Sequence, residues 1–272
     1  MNALNELLEL LTYPFAYRAL IAGSLISISA SVLGVVLVLR HYSLIGHGLS
    51  EIGFASLSFA SALNIPAMLI SAPSVIISSF VIMFISRKYK TAGDIAIAAA
   101  SSIALSLGVI VSSLTGSYSN MSIYLFGSVL AMNDYDLIFA VILSCLVMSS
   151  FIVFYNRLFL ITYNEDYARS LGINVNIYEG MISLLTALTV VLGMRIMGTL
   201  LISSVIILPA VSAKIIASGF RMLALLSGII SLTAFISGLI VSFIFNLPAG
   251  ASVVIVNALI LILVKILRRH KS

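Results

Sequence analysis

The stretch MLALLSGIISLTAFISGLIVSFIF, Met222–Phe245, contains 24 residues and no charged side chain. A helix needs roughly 20 apolar residues to cross a bilayer. Charged groups are costly in hydrocarbon, and Arg221 stands directly before this run instead of inside it. The stretch therefore predicts a membrane-spanning helix.

Runs of the same kind recur along all 272 residues. The further predicted spans are Ala19–Leu39, Ile65–Ile85, Ile95–Leu114, Tyr135–Tyr155, Gly180–Met194, Met197–Ala217 and Ala249–Leu267. Gly180–Met194 is short, so we expect this helix to begin near Val175. His47–Leu63 has helix length but carries His47 and Glu51, and it brings the set to about nine passes. The predicted fold class is all-α, a polytopic transmembrane helical bundle in a single domain, residues 1–272.

The composition also indicates a bilayer. Hydrophobic residues make up 61% of the chain and charged residues 8%, with a mean hydropathy of +1.22, whereas soluble domains carry roughly 25% charged residues. A soluble catalytic domain is excluded, and the chain has no Gly-rich phosphate loop for ATP. Energy for any active transport must come from a partner or from an ion gradient. The single cysteine, Cys145, excludes a disulfide within the chain, and we expect it to be buried.

Orientation follows from the distribution of lysine and arginine, which favour cytoplasmic loops. With nine passes and the N-terminus outside, twelve of the fourteen basic residues are cytoplasmic and only Arg18 and Arg195 are external. The C-terminal RRHKS, residues 268–272, is then cytoplasmic. We expect it to contact anionic lipid headgroups and not nucleic acid.

Two segments outside the spans have predicted positions, and a pair of acids follows the second. Residues 1–15 include a predicted amphipathic interfacial helix. Met121–Met132 is too short to cross and is predicted to lie at the outer surface or to dip into it. The acids Asp134 and Asp136 follow it, either as solvated groups or as contacts for an external partner.

His47 and Glu51 lie in the stretch SLIGHGLSEIGF, Ser43–Phe54. Their i, i+4 spacing puts both side chains on one helical face. An imidazole and a carboxylate can together bind a divalent transition ion, and ionisable groups inside a membrane are expensive unless they have a function. The alternative is a structural hydrogen bond at the cytoplasmic interface, and the spacing alone leaves both open.

The longest cytoplasmic segment, residues 156–177, contains NEDYARSLGI, Asn164–Ile173. It predicts a short helix with Asn164 as N-cap, Glu165 and Asp166 in the first turn, and Gly172 as the C-terminal stop. Together with Arg169, these side chains form either a docking site for a cytoplasmic partner or a solvated surface helix.

In combination, four stretches resemble the membrane subunit of zinc/manganese-type ABC metal importers. They are LRHYSLIGHGLSEIGFAS (Leu39–Ser56), NEDYARSLGINV (Asn164–Val175), MGTLLISSVIILPAVSAKIIA (Met197–Ala217) and LPAGASVVIVNALI (Leu247–Ile260). The resemblance covers nearly the whole chain. It implies a type II ABC importer-like permease in a prokaryotic plasma membrane, with no permanently bound cofactor. The implied cargo is zinc, manganese or iron.

The resemblance also implies partners: a second copy of the chain, two cytoplasmic ATPases, and an external metal-binding protein. The segment 156–177 would be the ATPase-coupling loop. The family usually has Asp followed four residues later by His where this chain has His47 and Glu51, so the ligand types persist in reversed order and the metal is left open. The alternatives are a permease for a chelate such as a siderophore or cobalamin, and an ion-gradient-driven transporter.

Overall fold

The computed structural model describes residues 14–88, 93–116, 127 and 133–269. Most of the predicted N-terminal interfacial segment, all of Met121–Met132 except Gly127, and the last three residues lie outside these ranges.

The described part of the chain folds into helices and turns. In chain order the helices are α1 (Pro14–Leu39), α2 (Ile45–Ala62), α3 (Ala67–Lys88), α4 (Gly93–Leu114), α5 (Asp134–Val153), α6 (Tyr155–Tyr163), α7 (Glu165–Ser170), α8 (Val175–Met197), α9 (Thr199–Ile216), α10 (Phe220–Phe245) and α11 (Ala249–Arg269).

Within the described ranges, eight helices are long and apolar enough to cross a membrane: α1, α3, α4, α5, α8, α9, α10 and α11. The expected start of α8 near Val175 is confirmed. Helix α2 is the ninth long helix, with 18 residues, or about 27 Å at 1.5 Å per residue. It is less apolar because it carries His47, Glu51 and several Gly and Ser residues. Two-thirds of its residues are buried by neighbouring helices, so protein replaces lipid around most of it.

Ion pairs between helix ends agree with the predicted alternation of passes. Arg18, near the start of α1, pairs with Asp134 at the start of α5 at 2.7 Å, so α1 and α5 run in the same direction. Arg195, near the end of α8, pairs with Asp136 at 3.1 Å, so α8 runs opposite to α5. Arg40, directly after α1, meets Glu165 of α7 at the other end.

Small residues allow the helices to approach closely, as is common in membrane bundles. A Cβ on Gly34 of α1 would lie 1.8 Å from the backbone oxygen of Ile206 in α9. A Cβ on Gly238 of α10 would lie 2.5 Å from the Cα of Val253 in α11. In both places backbone meets backbone, so no side-chain movement could make room.

Buried hydroxyl groups join helices or bond their own backbone. Ser227 and Ser231 of α10 donate to the carbonyls of Ser31 and Ser27 in α1 at 3.0 and 2.9 Å. In α9, three serines each donate to a carbonyl of their own helix; these are Ser203, Ser204 and Ser212. Their hydroxyl groups therefore bond the backbone of α9 and do not join it to another described helix.

Two expectations need correction. Residues 155–163 form α6, although the sequence suggested a loop. Leu158 and Ile161 are buried, and Phe159 packs on Phe220 with ring centroids 5.6 Å apart, so tertiary contacts stabilise a helix of only nine residues. Cys145 is exposed on α5 and not buried. In a spanning helix such an apolar outer face lies against lipid.

Candidate metal site and docking helix

Helix α2 places His47 and Glu51 on one face, as their spacing predicts. Nε2 of His47 lies 3.2 Å from Oε1 of Glu51, with side-chain exposures of 48% and 17%. One turn further along the same face, Ala55 is buried and lies close to Gly108 of α4, whereas Phe59 is 40% exposed. His47 is therefore open at the start of α2, and Glu51 beside it is only partly exposed.

Glycines hold α2 against its neighbours behind the His47–Glu51 pair. A Cβ on Gly48 would lie 2.7 Å from Cγ2 of Ile97 in α4. A Cβ on Gly53 would lie 2.8 Å from Cε of Met194 in α8. These contacts fix the rotation of α2 and therefore the direction in which His47 and Glu51 project.

One chain supplies only two of the ligands that a transition metal needs. Among the described residues there is no group of three or more His, Cys, Asp or Glu side chains able to hold a metal ion. Four ligands is the usual number for zinc. An ion at this pair needs further ligands from water or from a second molecule.

The predicted docking segment forms α7 as its capping residues require. Oδ1 of Asn164 accepts a hydrogen bond from the backbone N–H of Tyr167 at 2.9 Å. The helix ends at Ser170, with Leu171 as its C-cap directly before Gly172. Gly172 has φ +77°, and its N–H donates to the carbonyl of Arg169. The N–H of Ile173 donates to the carbonyl of Ala168. The N-cap and the glycine stop are confirmed.

The predicted coupling residues differ in their surroundings. Asp166 and Gly172 are exposed. Arg169 donates to Oε1 of Glu165 at 2.7 Å, and this hydrogen bond raises the pKa of the Arg169 guanidinium above its usual value. Arg169 is therefore charged at every physiological pH. Ala168 is the buried residue of α7 and packs with Ile161, Val175 and Tyr178.

Sequence reasoning missed the most buried charges near this helix. Arg40 lies between two carboxylates, with Nη2 at 2.6 Å from Oε2 of Glu165 and Nη1 at 2.6 Å from Oε1 of Glu179. Glu179 is the fifth residue of the spanning helix α8, and an acid inside a membrane segment is the signal that could have found it.

Asp134 and Asp136 are not simply solvated. Each pairs with an arginine of this chain, Arg18 and Arg195 respectively, and Asp136 also accepts from the backbone N–H of Asn133 to cap α5. Both acids therefore already have basic partners within the chain, which leaves less charge for an external protein to bind.

Comparisons with known proteins agree on one family. The model of the ABC 3 transport family matches residues 12–268. The manganese import system permease protein ScaB of Streptococcus gordonii is 29% identical over 248 residues, which is 91% of this chain and 89% of that protein. The high-affinity zinc uptake system membrane protein ZnuB of Haemophilus influenzae is 29% identical over 252 residues, 92% of this chain and 97% of that protein.

A solved structure shares the fold. A chain of PsaBC from Streptococcus pneumoniae, in complex with Fab, superposes with a TM-score of 0.85 at 26% identity, covering 96% of this chain and 95% of that one. The helical bundle described above is thus the fold of an ABC transporter permease, in a multi-pass protein of the bacterial plasma membrane. The chain belongs to the ABC 3 transport family and is a transport component, not an enzyme.

Proposed function

We propose that this chain is the permease subunit of an ATP-driven importer that carries manganese or zinc ions into the cell. Relatives named for manganese and for zinc match it over about nine-tenths of its length. The observation that carries the proposal is the His47–Glu51 pair, 3.2 Å apart near the start of a helix that is two-thirds buried by protein.

The pair suits a bare ion better than a large chelate. A neutral imidazole and a carboxylate are both ligands for divalent transition metals. In lipid, these side chains would be expensive. A second copy of the chain covering the exposed His47 would remove the pair from lipid and bring a second imidazole and carboxylate. We infer a homodimer with the ion pathway between the two α2 helices.

We assign the cytoplasmic ATPase and the external metal-binding protein to opposite ends of the bundle. Helix α7 is short, charged and attached to the bundle through few side chains, which suits docking of a cytoplasmic ATPase. Glu165, Asp166 and Arg169 supply its charges, and Gly172 shapes its end. An external metal-binding protein would deliver the ion to the opposite face. No resident cofactor is needed, since the metal is the cargo.

Uptake by proteoliposomes tests this function. The chain is reconstituted with its ATPase and its external binding protein, and uptake is measured with Mn²⁺, Zn²⁺ and Fe²⁺. We expect ATP-dependent uptake of at least one ion, lost in His47→Ala and in Glu51→Ala. Ser58→Ala is the matched control, because Ser58 lies on the same helix and donates to the carbonyl of Phe54.

Three results contradict parts of the proposal. Uptake driven by an ion gradient without ATP would contradict the ABC mechanism. Uptake of a metal chelate but not of the free or protein-delivered ion would favour the chelate alternative. Near-normal uptake in both site variants would leave His47–Glu51 as a structural hydrogen bond.

A further inference from the structure

Four charged side chains form a continuous network from the surface of α7 into the membrane bundle. We propose that this ion-pair network, Arg169–Glu165–Arg40–Glu179, fixes the docking helix to the bundle and transmits its movement to α2, with Arg40 as the central positioning residue. The inference rests on the proposed ATP-driven transport and adds the residues that link docking to the metal pathway.

The network becomes steadily more buried along its length. Side-chain exposure falls from 47% at Arg169 to 35% at Glu165, 9% at Arg40 and 2% at Glu179. Consecutive partners lie 2.7, 2.6 and 2.6 Å apart. Two cations alternate with two anions, so the network is neutral as a whole and each buried charge faces its opposite.

Arg40 suits this position because a guanidinium can serve two acids at once. Its two terminal nitrogens each contact a different carboxylate, one on α7 and one on α8. Glu165 and Glu179 are 14 residues apart in the sequence, on helices that otherwise meet through a small apolar cluster that includes Ala168 and Val175. Lysine carries a single nitrogen and could not reproduce this geometry.

A short turn of the backbone connects Arg40 to the His47–Glu51 pair. Arg40 stands five residues before the start of α2 and seven before His47. The turn between them is tight, since the N–H of Tyr42 donates to the carbonyl of Leu37 at 2.8 Å and the N–H of Ile45 to that of Tyr42 at 3.1 Å. A hydrogen-bonded turn passes on a displacement that a flexible loop would absorb.

The network thus ties three helices to one guanidinium. A push on α7 from a docked ATPase moves Glu165, and through Arg40 it acts on the α1–α2 turn and on α8. Both α2 and α8 belong to the pathway side of the bundle, since Met194 of α8 packs against Gly53 of α2.

The test measures how many ions are transported for each ATP hydrolysed by the complete importer, with Mn²⁺ and Zn²⁺ as probes. Glu165→Gln removes the charge that links α7 to Arg40 but leaves the buried Arg40–Glu179 pair in place, so the protein is expected to fold. Because Glu165 is also one of the proposed docking charges, the ratio is measured only on complexes that co-purify with the ATPase. We expect the transport ratio to fall about fivefold or more, the lower range of typical coupling between sites.

Two comparison variants separate transmission from other roles. Asp166→Asn removes the same charge from the same turn of α7 without touching Arg40, and a smaller fall than in Glu165→Gln is expected. Arg40→Lys keeps the charge but lacks the two separate nitrogens that contact Glu165 and Glu179, and an intermediate ratio is expected. A purely structural role would reduce assembly, hydrolysis and uptake in parallel and would leave the ratio unchanged.

The inference is overturned if Glu165→Gln keeps the wild-type ratio, or if Asp166→Asn lowers it equally. Failure of the proposed function gives a different result, because the wild-type complex itself would then show no ATP-dependent uptake of either ion.

Discussion

Replacing Arg40 by alanine should strongly destabilise the protein, because it leaves Glu179 buried without its cation. The Glu179 side chain is 2% exposed, so water cannot take the place of the guanidinium. Breaking a buried ion pair from one side costs roughly 3–5 kcal/mol. The more exposed contact with Glu165, which keeps Arg169 as a partner, adds about 0.2–1 kcal/mol. By the scaling for chains of 150–250 residues, about 2–4 °C per kcal/mol, the two contributions together should lower the melting temperature by about 6–24 °C.

Thermal unfolding in detergent at one fixed scan rate measures this effect. Arg221→Ala is the matched control, because Arg221 is exposed and no ion pair of its side chain is found in the described residues. Arg40→Met combined with Glu179→Leu removes both buried charges and should recover much of the loss, as apolar replacement of buried pairs often does. A melting temperature for Arg40→Ala within about 2 °C of that for Arg221→Ala would refute the reasoning.

Three further predictions concern packing, the docking helix and topology. Gly34→Ala should cost about 1–3 kcal/mol, since its Cβ would meet the backbone oxygen of Ile206. Gly228→Ala, with only ordinary contacts around the new Cβ, should be tolerated in the same thermal assay. Gly172→Val should reduce ATPase binding measured by co-purification, because Gly172 has φ +77°, whereas Gly172→Asn should retain it. Equal ATPase binding by Gly172→Val and Gly172→Asn would contradict the explanation from the backbone angle. A cysteine introduced by Lys88→Cys should not be labelled by a membrane-impermeant thiol reagent added to intact cells. Ready labelling would show that the predicted orientation in the membrane is wrong.

The sequence predicted the helices and helix caps, because these features depend on residues that are close together in the chain. Apolar length identified the spanning helices, and the corrected start of α8 near Val175 agrees with the structure. The caps of α7 followed from Asn164 and Gly172 because a side-chain acceptor and a left-handed glycine act within three or four residues.

Contacts between residues that are far apart in the chain could not be predicted from the sequence. Arg40 and Glu165 are 125 residues apart, and no local pattern pairs them. Glu179 was overlooked for a simpler reason, because the apolar run was taken to begin at Gly180. Moving the start of the helix to Val175, as its length required, places this acid within the span, where an ionisable side chain indicates a function.

The number of ligands that one chain provides bears on how the ion is released. His47 and Glu51 give each chain two ligands, and the proposed homodimer brings four together across its axis. Moving the two α2 helices apart would halve the ligand number and weaken binding without altering either pair. A permease needs such a site, because an ion held by four ligands from one chain would stay bound when the copies move. The ion-pair network passes through Arg40, seven residues before His47, so in the proposed mechanism a force from the docking helix would reach the segment whose displacement opens the site.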